Sequence, residues 1–256
     1  MRPIALHWSR SKPNFGDALS PLICARVAGR PVVWAPAERC DVIAIGSLLQ
    51  RLKEHFWSRR VHVWGTGFIE SVPCHRSRHH FHAMRGPLTA ALIDGVDADV
   101  ALGDPGLLVH LLMEGRPPPR RRIGCLVIPH YKDRGRPQLQ EAVDGLLHVE
   151  VADVFAPPLE ILDRIRASDC VLSSSLHGLI AADALGVPNA WIELSDALRG
   201  GDFKFRDYYG VFGIEPHALA LTRGLLVDPG PAVAAWSRPG LETIRRRLLE
   251  RFPVSF

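Results

Sequence analysis

The sequence lacks the hydrophobic segments that export and membrane insertion require. No apolar run among its 256 residues approaches the length that spans a bilayer, and the first ten residues contain no apolar core typical of an export signal. Cysteine is also scarce, because the five cysteines are scattered and none has C-x-x-C spacing. We therefore expect a cytoplasmic protein whose thiols are reduced and mostly buried.

Nucleotide and hydrolase fingerprints are missing as well. G-x-G-x-x-G, G-x-x-x-x-G-K-[ST] and G-x-S-x-G do not occur, so a dinucleotide site, a nucleoside triphosphate site and a serine hydrolase are not indicated. The tract from Cys74 to His82 is rich in histidine. However, His80 and His82 alternate as on a strand, and no second cluster matches them. We expect no metal and no other cofactor.

Lysine and aromatic side chains are few. Lysine occurs only at positions 12, 53, 132 and 204, so arginine supplies most of the basic residues behind the net charge of +4. Aromatic residues make up 7% of the chain and do not alternate with basic ones, as they do in proteins that stack nucleic-acid bases. We expect no nucleic-acid partner. The modest positive charge suits an anionic small molecule or an anionic membrane surface.

The chain does contain a regular alternation of short apolar strands and helices on both sides of one interruption. Its 47% hydrophobic and 23% charged residues are typical of a globular protein. Residues 115–122, rich in proline and arginine, break the periodicity and indicate a linker. The pattern predicts an α/β fold of two Rossmann-like domains facing a cleft, at 1–114 and 123–237, followed by a helical segment at 238–256.

The last predicted helix, Leu241 to Phe252, carries an apolar stripe with arginines around it. Its apolar members are Leu241, Ile244, Leu248 and Phe252. Packing of this stripe back on the body of the protein is favoured. Peripheral attachment to the inner face of the cytoplasmic membrane is the alternative that the sequence leaves open.

Residues 170–188 form the most informative stretch, in which a short strand passes through three serines into an Ala/Leu-rich helix. Such a joint leaves the first N–H groups of the helix unpaired and directs its positive dipole end at the crevice above the sheet, which suits an anionic ligand. Ser173, Ser174 and Ser175 can cap the helix or bind that ligand, and His177 lies on its first turn. The alternative is an ordinary βαβ unit with a capping serine and a packed histidine.

Other polar residues follow predicted strands or precede helices, and ligands of open α/β sheets bind at the carboxyl ends of the strands. Residues 196–213 combine glycines, charges and aromatics, which indicates an ordered loop over the site that carries Lys204 and Arg206. The remaining candidate binding residues are Asn14, Asp17, Arg85, Asp104, His130 and Lys132.

Seven motifs, taken together and in this order, make the sequence similar to the polysaccharide pyruvyl transferases. The similarity is greatest to the ketal pyruvate transferases of bacterial exopolysaccharide pathways such as those of xanthan and succinoglycan, and it extends nearly end to end. The motifs are Asn14-Phe-Gly-Asp17, Val63-Trp-Gly-Thr-Gly67, Arg85-Gly-Pro87, Gly103-Asp-Pro-Gly106, Ile128-Pro-His130, Ser173-Ser-Ser-Leu-His-Gly178 and Phe203-Lys-Phe-Arg-Asp-Tyr-Tyr209.

The resemblance implies a two-domain fold like that of the GT-B glycosyltransferases, phosphoenolpyruvate as donor, and a sugar of a lipid-linked repeat unit as acceptor. It also implies that two sugar hydroxyls end on one ketal carbon. We expect the first domain on the acceptor side and the second on the donor side. Ketal formation needs an acid to protonate the methylene carbon and a base to take the hydroxyl proton. We assign His177 as acid, Asp17 as base and Arg85 as the clamp on the donor carboxylate or phosphate.

One position departs from the wider family, in which other branches carry an arginine two residues before the motif histidine. Here that position is Ser175, and Lys204 or Arg206 is the candidate to supply the missing charge. Two other functions stay open. A GT-B glycosyltransferase that uses a nucleotide sugar would need a carboxylate for the ribose, for which Glu193 is the obvious candidate. A non-catalytic glycan-binding protein would need a groove of stacked aromatics.

Overall fold

A computed structural model of the chain describes residues 2–11, 14–117, 119, 122–194 and 201–253. The fold is α/β. Its strands are β1 (Ile4–His7), β2 (Val32–Trp34), β3 (Val42–Ile43), β4 (His62–Trp64), β5 (His75–Arg76), β6 (His80–Met84), β7 (Ile93–Asp94), β8 (Ala101–Leu102), β9 (Ile123–Ile128), β10 (Val149–Val151), β11 (Ser168–Ser173), β12 (Asn189–Glu193) and β13 (Leu219–Ala220).

The strands form two larger parallel sheets and one small pair. The first sheet has the order β2-β1-β3-β4-β6-β8, the second has the order β10-β9-β11-β12-β13, and β5 pairs with β7. All of these pairings are parallel, so the carboxyl ends of each sheet lie at one edge. The predicted α/β class with parallel sheets is confirmed. The division into two GT-B-like domains remains a prediction.

Helices cover the sheets and connect their strands. They are α1 (Phe15–Ala28), α2 (Pro87–Ala90), α3 (His110–Met113), α4 (Pro137–Val143), α5 (Pro158–Arg166), α6 (Leu176–Ala184), α7 (Phe203–Tyr209), α8 (Arg223–Val227), α9 (Gly230–Val233) and α10 (Leu241–Glu250). Short 3-10 turns occur at Leu49–Arg51, Pro105–Leu108 and Gly210–Phe212. Proline stands in the first turn of several helices, where its missing N–H costs no hydrogen bond.

One apolar core extends across both sheets. Leu6 of β1, Leu19 of α1, Ile128 of β9 and Leu179 of α6 are almost completely buried in the same cluster. Smaller clusters lie around β3, β4 and β6 of the first sheet and around β9, β11 and β12 of the second. The strands therefore contact apolar neighbours on both faces, which explains their nearly continuous hydrophobic sequences.

The segment predicted as a loop over the site is a buried helix in its described part. Residues 195–200 lie outside the described ranges, but α7 is helical, and Phe205 and Tyr208 are fully buried in the main core. The loop prediction was wrong here because the charge of this segment is paired inside the protein. Asp207 of α7 accepts hydrogen bonds from Arg85 Nε at 2.8 Å, Thr89 N at 2.8 Å and Thr89 Oγ1 at 2.6 Å.

The glycine of the Arg85-Gly-Pro87 motif lets α7 approach the start of α2. A Cβ on Gly86 would lie 1.8 Å from the backbone oxygen of Asp207, which no side chain tolerates. The Asp207 carboxylate can therefore reach the first turn of α2 and neutralise Arg85 at the same time. This motif, which the sequence assigned to ligand binding, holds two helices together.

A second buried acid, Asp183 on α6, fixes the other side of α7 and the C-terminal segment. Its carboxylate accepts hydrogen bonds from Tyr208 Oη at 2.7 Å, Asn189 Nδ2 at 2.6 Å and Trp236 Nε1 at 2.8 Å. Arg238 Nε lies 2.8 Å from Oδ2 of the same carboxylate. The charge is thus paired and bonded throughout, as a buried carboxylate requires.

Helix α10 packs on the first sheet through the predicted apolar stripe. Leu248 is fully buried, Trp64 Nε1 donates to Leu248 O at 2.9 Å, and the Trp64 and Phe252 rings meet edge to face at 4.7 Å. The arginines of this helix bond to the protein itself: Arg247 Nη2, for example, donates to Asp99 O at 2.6 Å. In the described part of the chain, no helix has the length and apolar character needed to cross a membrane.

Candidate active site

A cavity of about 220 Å³ lies where the carboxyl ends of the two sheets meet. The segments after β1, β3 and β4 of the first sheet line it from one side, and those after β9, β10 and β11 of the second sheet line it from the other. Its polar lining consists of Ser9, Ser11, Asn14, Asp17, Ser47, Arg51, His130, Tyr131, Ser175, His177 and Lys204. The sequence predicted six of these residues: Asn14, Asp17, His130, Ser175, His177 and Lys204.

The N-terminal end of α1 brings Asn14 and Asp17 to the cavity. Asn14 is the N-cap: its Oδ1 accepts from Asp17 N at 3.2 Å, while its Nδ2 donates to Asp17 Oδ2 at 2.8 Å. These two bonds fix the orientation of the Asp17 carboxylate. Burial raises the pKa of Asp17 to about 6, against the opposing effects of the Asn14 hydrogen bond and the Arg51 charge.

The N-terminal end of α6 opens on the same cavity from the second sheet. Its N-cap, Ser175, lines the cavity and makes no capping bond with its side chain. Ser173 and Ser174 are buried and bond within the protein instead. Ser173 Oγ donates to Ile128 O at 2.7 Å, and Ser174 Oγ accepts from His130 N at 2.8 Å. Of the three serines predicted to bind substrate, the structure therefore brings only Ser175 to the cavity.

Gly16 and His177 join the two helix starts. A Cβ on Gly16 would lie 2.1 Å from His177 Nδ1 and 2.4 Å from its Cγ, so the imidazole packs directly on the α1 backbone. This close approach explains the glycine in Asn14-Phe-Gly-Asp17. It also places His177 beside the residue that precedes Asp17. The predicted acid and the predicted base therefore line the cavity where the starts of the two helices touch.

Both cavity histidines have pKa values below the usual range for histidine. Burial, aided by the positive charges of Lys204 and Arg85, lowers the pKa of His177 to about 3. Burial and the Lys204 charge likewise lower the pKa of His130 to about 4. Both imidazoles are neutral near pH 7. A bound anion would favour their protonated forms, since opposite charges stabilise each other in a cavity of low polarity.

Lys204 and Arg51 bring positive charge to the cavity. Lys204, on α7, is 9% exposed, and its Nζ lies 5.1 Å from the centre of the Phe205 ring. Burial and the charges of Arg85 and Lys132 lower the pKa of Lys204 to about 8. Arg51 closes the 3-10 turn after β3. Asp17 is the only carboxylate among the described lining residues, so the cavity is built for an anion.

Sequence reasoning missed Arg51 together with Ser9, Ser11, Ser47 and Tyr131. The same rule that selected the other candidates could have found Arg51 and Ser47, because both follow strand β3 at its carboxyl end. Ser9 and Ser11 lie in the segment between β1 and α1. Tyr131 stands next to His130, and their ring centres are 4.3 Å apart.

The structure places Arg85 behind the cavity wall. Its guanidinium is fully buried, with Nε on Asp207 Oδ2 at 2.8 Å, Nη2 on Phe68 O at 2.5 Å and Nη1 on Ser47 Oγ at 2.6 Å. Ser47 lines the cavity and Arg85 does not. Arg85 therefore acts on the cavity indirectly, through its hydrogen bond to Ser47.

Three more predicted binding residues do not line the cavity. Asp104 is buried and caps the 3-10 turn that follows it, accepting from Gly106 N at 2.8 Å, and burial raises its pKa to about 7. Lys132 is exposed on the turn after β9. Arg206 points away on α7 and pairs with Glu215 at 2.9 Å. Glu193, the carboxylate considered for a ribose, is exposed at the end of β12 and also lies outside the cavity lining.

The structure also bears on the thiol and histidine predictions. The five cysteines are free, and all except Cys74 are buried, as predicted. His80 and His82 do lie on a strand, β6, where His82 Nε2 is 2.7 Å from His62 Nδ1. Over the described ranges, no three His, Cys, Asp or Glu side chains converge in a way that could hold a metal ion.

The fold is thus α/β, with a carboxylate, two imidazoles and two cations lining one cavity at the carboxyl ends of two parallel sheets. The family model for polysaccharide pyruvyl transferase matches residues 4–196 of the chain. The chain belongs to the polysaccharide pyruvyl transferase family, which confirms the resemblance that the motifs indicated.

The chain is also similar to individual proteins. Uncharacterized protein L143 of Acanthamoeba polyphaga mimivirus is 28% identical over 229 residues, covering 84% of this chain and 76% of that protein. Succinoglycan biosynthesis protein ExoV of Rhizobium meliloti (strain 1021) is 28% identical over 211 residues, covering 81% of this chain and 64% of that protein. The crystal structure of KP1_0663 from Klebsiella pneumoniae subsp. pneumoniae NTUH-K2044 aligns with a TM-score of 0.42 at 11% identity, over 85% of this chain and 93% of that one.

Proposed function

We propose that this pyruvyl transferase moves the enolpyruvyl group of phosphoenolpyruvate onto two hydroxyls of one sugar in a lipid-linked exopolysaccharide repeat unit. The observation that carries the proposal is the cavity at the joined starts of α1 and α6, where Lys204 and Arg51 surround a single carboxylate among the described lining residues. Phosphoenolpyruvate carries a carboxylate and a phosphate, which helix N-termini and cations bind.

The donor's two anionic groups would be held by Lys204, Arg51 and the first turn of α6. Lys204 then supplies the charge that the family arginine supplies at the position of Ser175. Arg85 fixes Ser47 from behind the cavity wall and adds its positive charge to the field there. We assign it a positioning role in place of the direct clamp.

The reaction balances without a metal, a nucleotide or a redox step. One C–H bond forms when the methylene carbon of the donor is protonated, and a sugar oxygen attacks the resulting cationic carbon. The C–O bond to phosphate then breaks, and the second sugar oxygen bonds to the same carbon. Of the two hydroxyl protons, one replaces the proton given to the methyl group and the other leaves with phosphate. The net products are a pyruvate ketal and inorganic phosphate.

His177 and Asp17 are the residues proposed to move these protons. The His177 imidazole is neutral near pH 7, and the anionic donor would raise its pKa so that it can act as the acid. Asp17, whose pKa is about 6, is ionised at pH 7 and can accept the hydroxyl proton. Asn14 holds this carboxylate in place. The residues of 1–114 would bind the acceptor, and those of 123–237 most of the donor.

The test is an incubation of the purified protein with phosphoenolpyruvate and a lipid-linked or synthetic glycan acceptor. We expect release of inorganic phosphate and a glycan whose mass and NMR spectrum show a pyruvyl ketal. A parallel incubation replaces the donor with a panel of nucleotide sugars. Sugar transfer from a nucleotide, without ketal formation from phosphoenolpyruvate, would refute the proposal in favour of a glycosyltransferase.

A further inference from the structure

An exposed tryptophan lies beside the cavity and has no role in the chemistry described above. Trp34 ends β2, at the carboxyl edge of the first sheet, and is 40% exposed. Its indole is held in place: Nε1 donates to Trp8 O at 3.1 Å, and the Arg10 guanidinium carbon lies 5.1 Å from the ring centre. Because these contacts already fix the indole, it loses little entropy when it binds a partner.

One short segment connects this indole to the cavity. Ser9 and Ser11 line the cavity, while Arg10 between them lies over Trp34. The same segment leads into α1, which carries Asp17. Trp34 is therefore at the cavity rim, on the side of the residue proposed to take the acceptor's hydroxyl proton.

The size of the cavity indicates what this rim must bind. About 220 Å³ holds a small donor and the reacting part of one sugar, so the rest of an oligosaccharide must lie outside. Sugar rings carry an apolar face of C–H groups that packs on an indole, and a ring of hydroxyls that accept hydrogen bonds from a guanidinium. A partly exposed indole with a guanidinium over its ring offers both kinds of contact.

We propose that Trp34 and Arg10 form a binding subsite for the sugar next to the pyruvylated one in the acceptor chain. This inference rests on the proposed function, because it assumes that the acceptor is a glycan longer than one sugar. The subsite sets the acceptor length that the enzyme prefers, and it takes no part in donor binding or proton transfer.

The chain offers a matched control in Trp57, which is 70% exposed and stacks on His55 at 4.8 Å. Trp57 lies near Val61 and His79, which precede β4 and β6, so it belongs to the opposite, amino edge of the same sheet. Trp34→Ala should lower kcat/KM for an oligosaccharide acceptor about 5- to 50-fold, mainly through the KM of that acceptor. The KM for phosphoenolpyruvate should not change, and Trp57→Ala should match the parent protein.

Acceptors of different length distinguish a sugar-binding subsite at Trp34 from a purely structural role of this residue. With a single-sugar diol as acceptor, Trp34→Ala should work as well as the parent, and Trp34→Phe should recover part of the loss with the oligosaccharide. Equal losses with both acceptors, or no loss with either, would overturn the subsite.

A binding measurement keeps this inference separable from the proposed function. Titration of the oligosaccharide into the protein by calorimetry requires no turnover. If no variant forms a ketal but binding still weakens in Trp34→Ala and not in Trp57→Ala, the subsite stands and the proposed function fails. If ketal formation proceeds and binding is the same in all variants, the proposed function stands and the subsite is wrong.

Discussion

At the scale of single residues, the cavity contains two kinds of group: cations that would bind the donor, and groups that would transfer protons. Lys204 and Arg51 are positive, His177 and His130 are held neutral, and Asp17 titrates at a pKa of about 6. Desolvation produces all three shifts, because it penalises the charged form of each group. The negative charge of a bound donor would raise the pKa of both histidines again. Proton supply would therefore depend on donor binding.

The proton-transfer roles predict the behaviour of His177→Asn and Asp17→Asn. Removal of a positioned acid or base costs about 10²–10⁴-fold in rate, and we expect kcat to fall by that order in each variant. In the parent protein, kcat/KM should fall as the pH drops through about 6, because Asp17 becomes protonated and no longer accepts a proton. Steady-state kinetics from pH 5 to 8 measure both effects.

The Asp17→Asn variant should lose this acidic limb of the profile. Circular dichroism and thermal melts verify that each variant is folded. A folded variant with parental kcat would assign that residue a structural role only.

Three cationic side chains, two in the cavity lining and one outside it, should differ in their effect on donor kinetics when alanine replaces them. A charge-assisted hydrogen bond contributes about 1.5–3 kcal/mol, so Lys204→Ala and Arg51→Ala should each lower kcat/KM for phosphoenolpyruvate about 10- to 150-fold. Arg206→Ala is the control, because Arg206 pairs with Glu215 outside the cavity lining and should leave donor kinetics unchanged. Parental donor kinetics in both Lys204→Ala and Arg51→Ala would leave donor binding to the α6 start alone.

At the scale of elements, the site depends on two helices that begin at one point. α1 and α6 come from different sheets, and the absence of a side chain at Gly16 lets the His177 ring lie against the α1 backbone. This contact sets the distance between the cavity groups on the two helices.

Gly16→Ala tests the contact. The new Cβ would lie 2.1 Å from His177 Nδ1, so the ring or the helix must shift. Overpacking of this kind costs about 1–3 kcal/mol of stability, and displacement of the imidazole should reduce kcat further than the stability loss explains. Gly224→Ala on α8 is a matched control, since its nearest heavy atom would be 3.8 Å away. Denaturation curves and kcat, measured on both variants, decide the outcome. If Gly16→Ala and Gly224→Ala have similar stability and similar kcat, the close approach of α1 and His177 is not needed for either.

At the scale of the whole molecule, buried ion pairs hold distant parts of the chain together. Arg85 and Asp207 are 122 positions apart in sequence and fully buried against each other. Their hydrogen bonds connect α7, which follows β12 of the second sheet, to the start of α2, which follows β6 of the first sheet. The Asp183 cluster does the same for α6, α7 and the C-terminal segment.

Asp207→Asn should destabilise the fold strongly. It leaves the Arg85 charge buried without a counter-charge, and removal of one partner from a buried pair costs about 3–5 kcal/mol. Glu215→Gln, which breaks the exposed pair with Arg206 on the same helix, should cost at most about 1 kcal/mol. Urea denaturation measures both. Equal, small effects would mean that Arg85 finds another partner when Asp207 is neutral.

The sequence by itself determined the α/β class, the approximate bounds of most strands and helices, and the family. The class and the element bounds follow from local causes, namely hydrophobic period and the proline and glycine at helix ends, whereas the family rests on the seven motifs. The rule that residues at the carboxyl ends of parallel strands share an edge predicted Asn14, Asp17, His130, Ser175 and His177 at one site, and the composition of residues 196–213 predicted Lys204 beside them. Only the tertiary structure decided which polar residues near the strand ends face the cavity and which face the core.

Arg85, Asp104, Ser173 and Ser174 are as polar as the cavity residues, yet each is buried among protein partners. For Arg85 that partner is Asp207, far away in sequence, and the same pairing made a helix of the segment that composition predicted to be a loop. Local pattern can place a side chain at the edge of a sheet. Whether it then faces the cavity or the core depends on which distant side chain satisfies its charge and hydrogen bonds, and folding alone settles that.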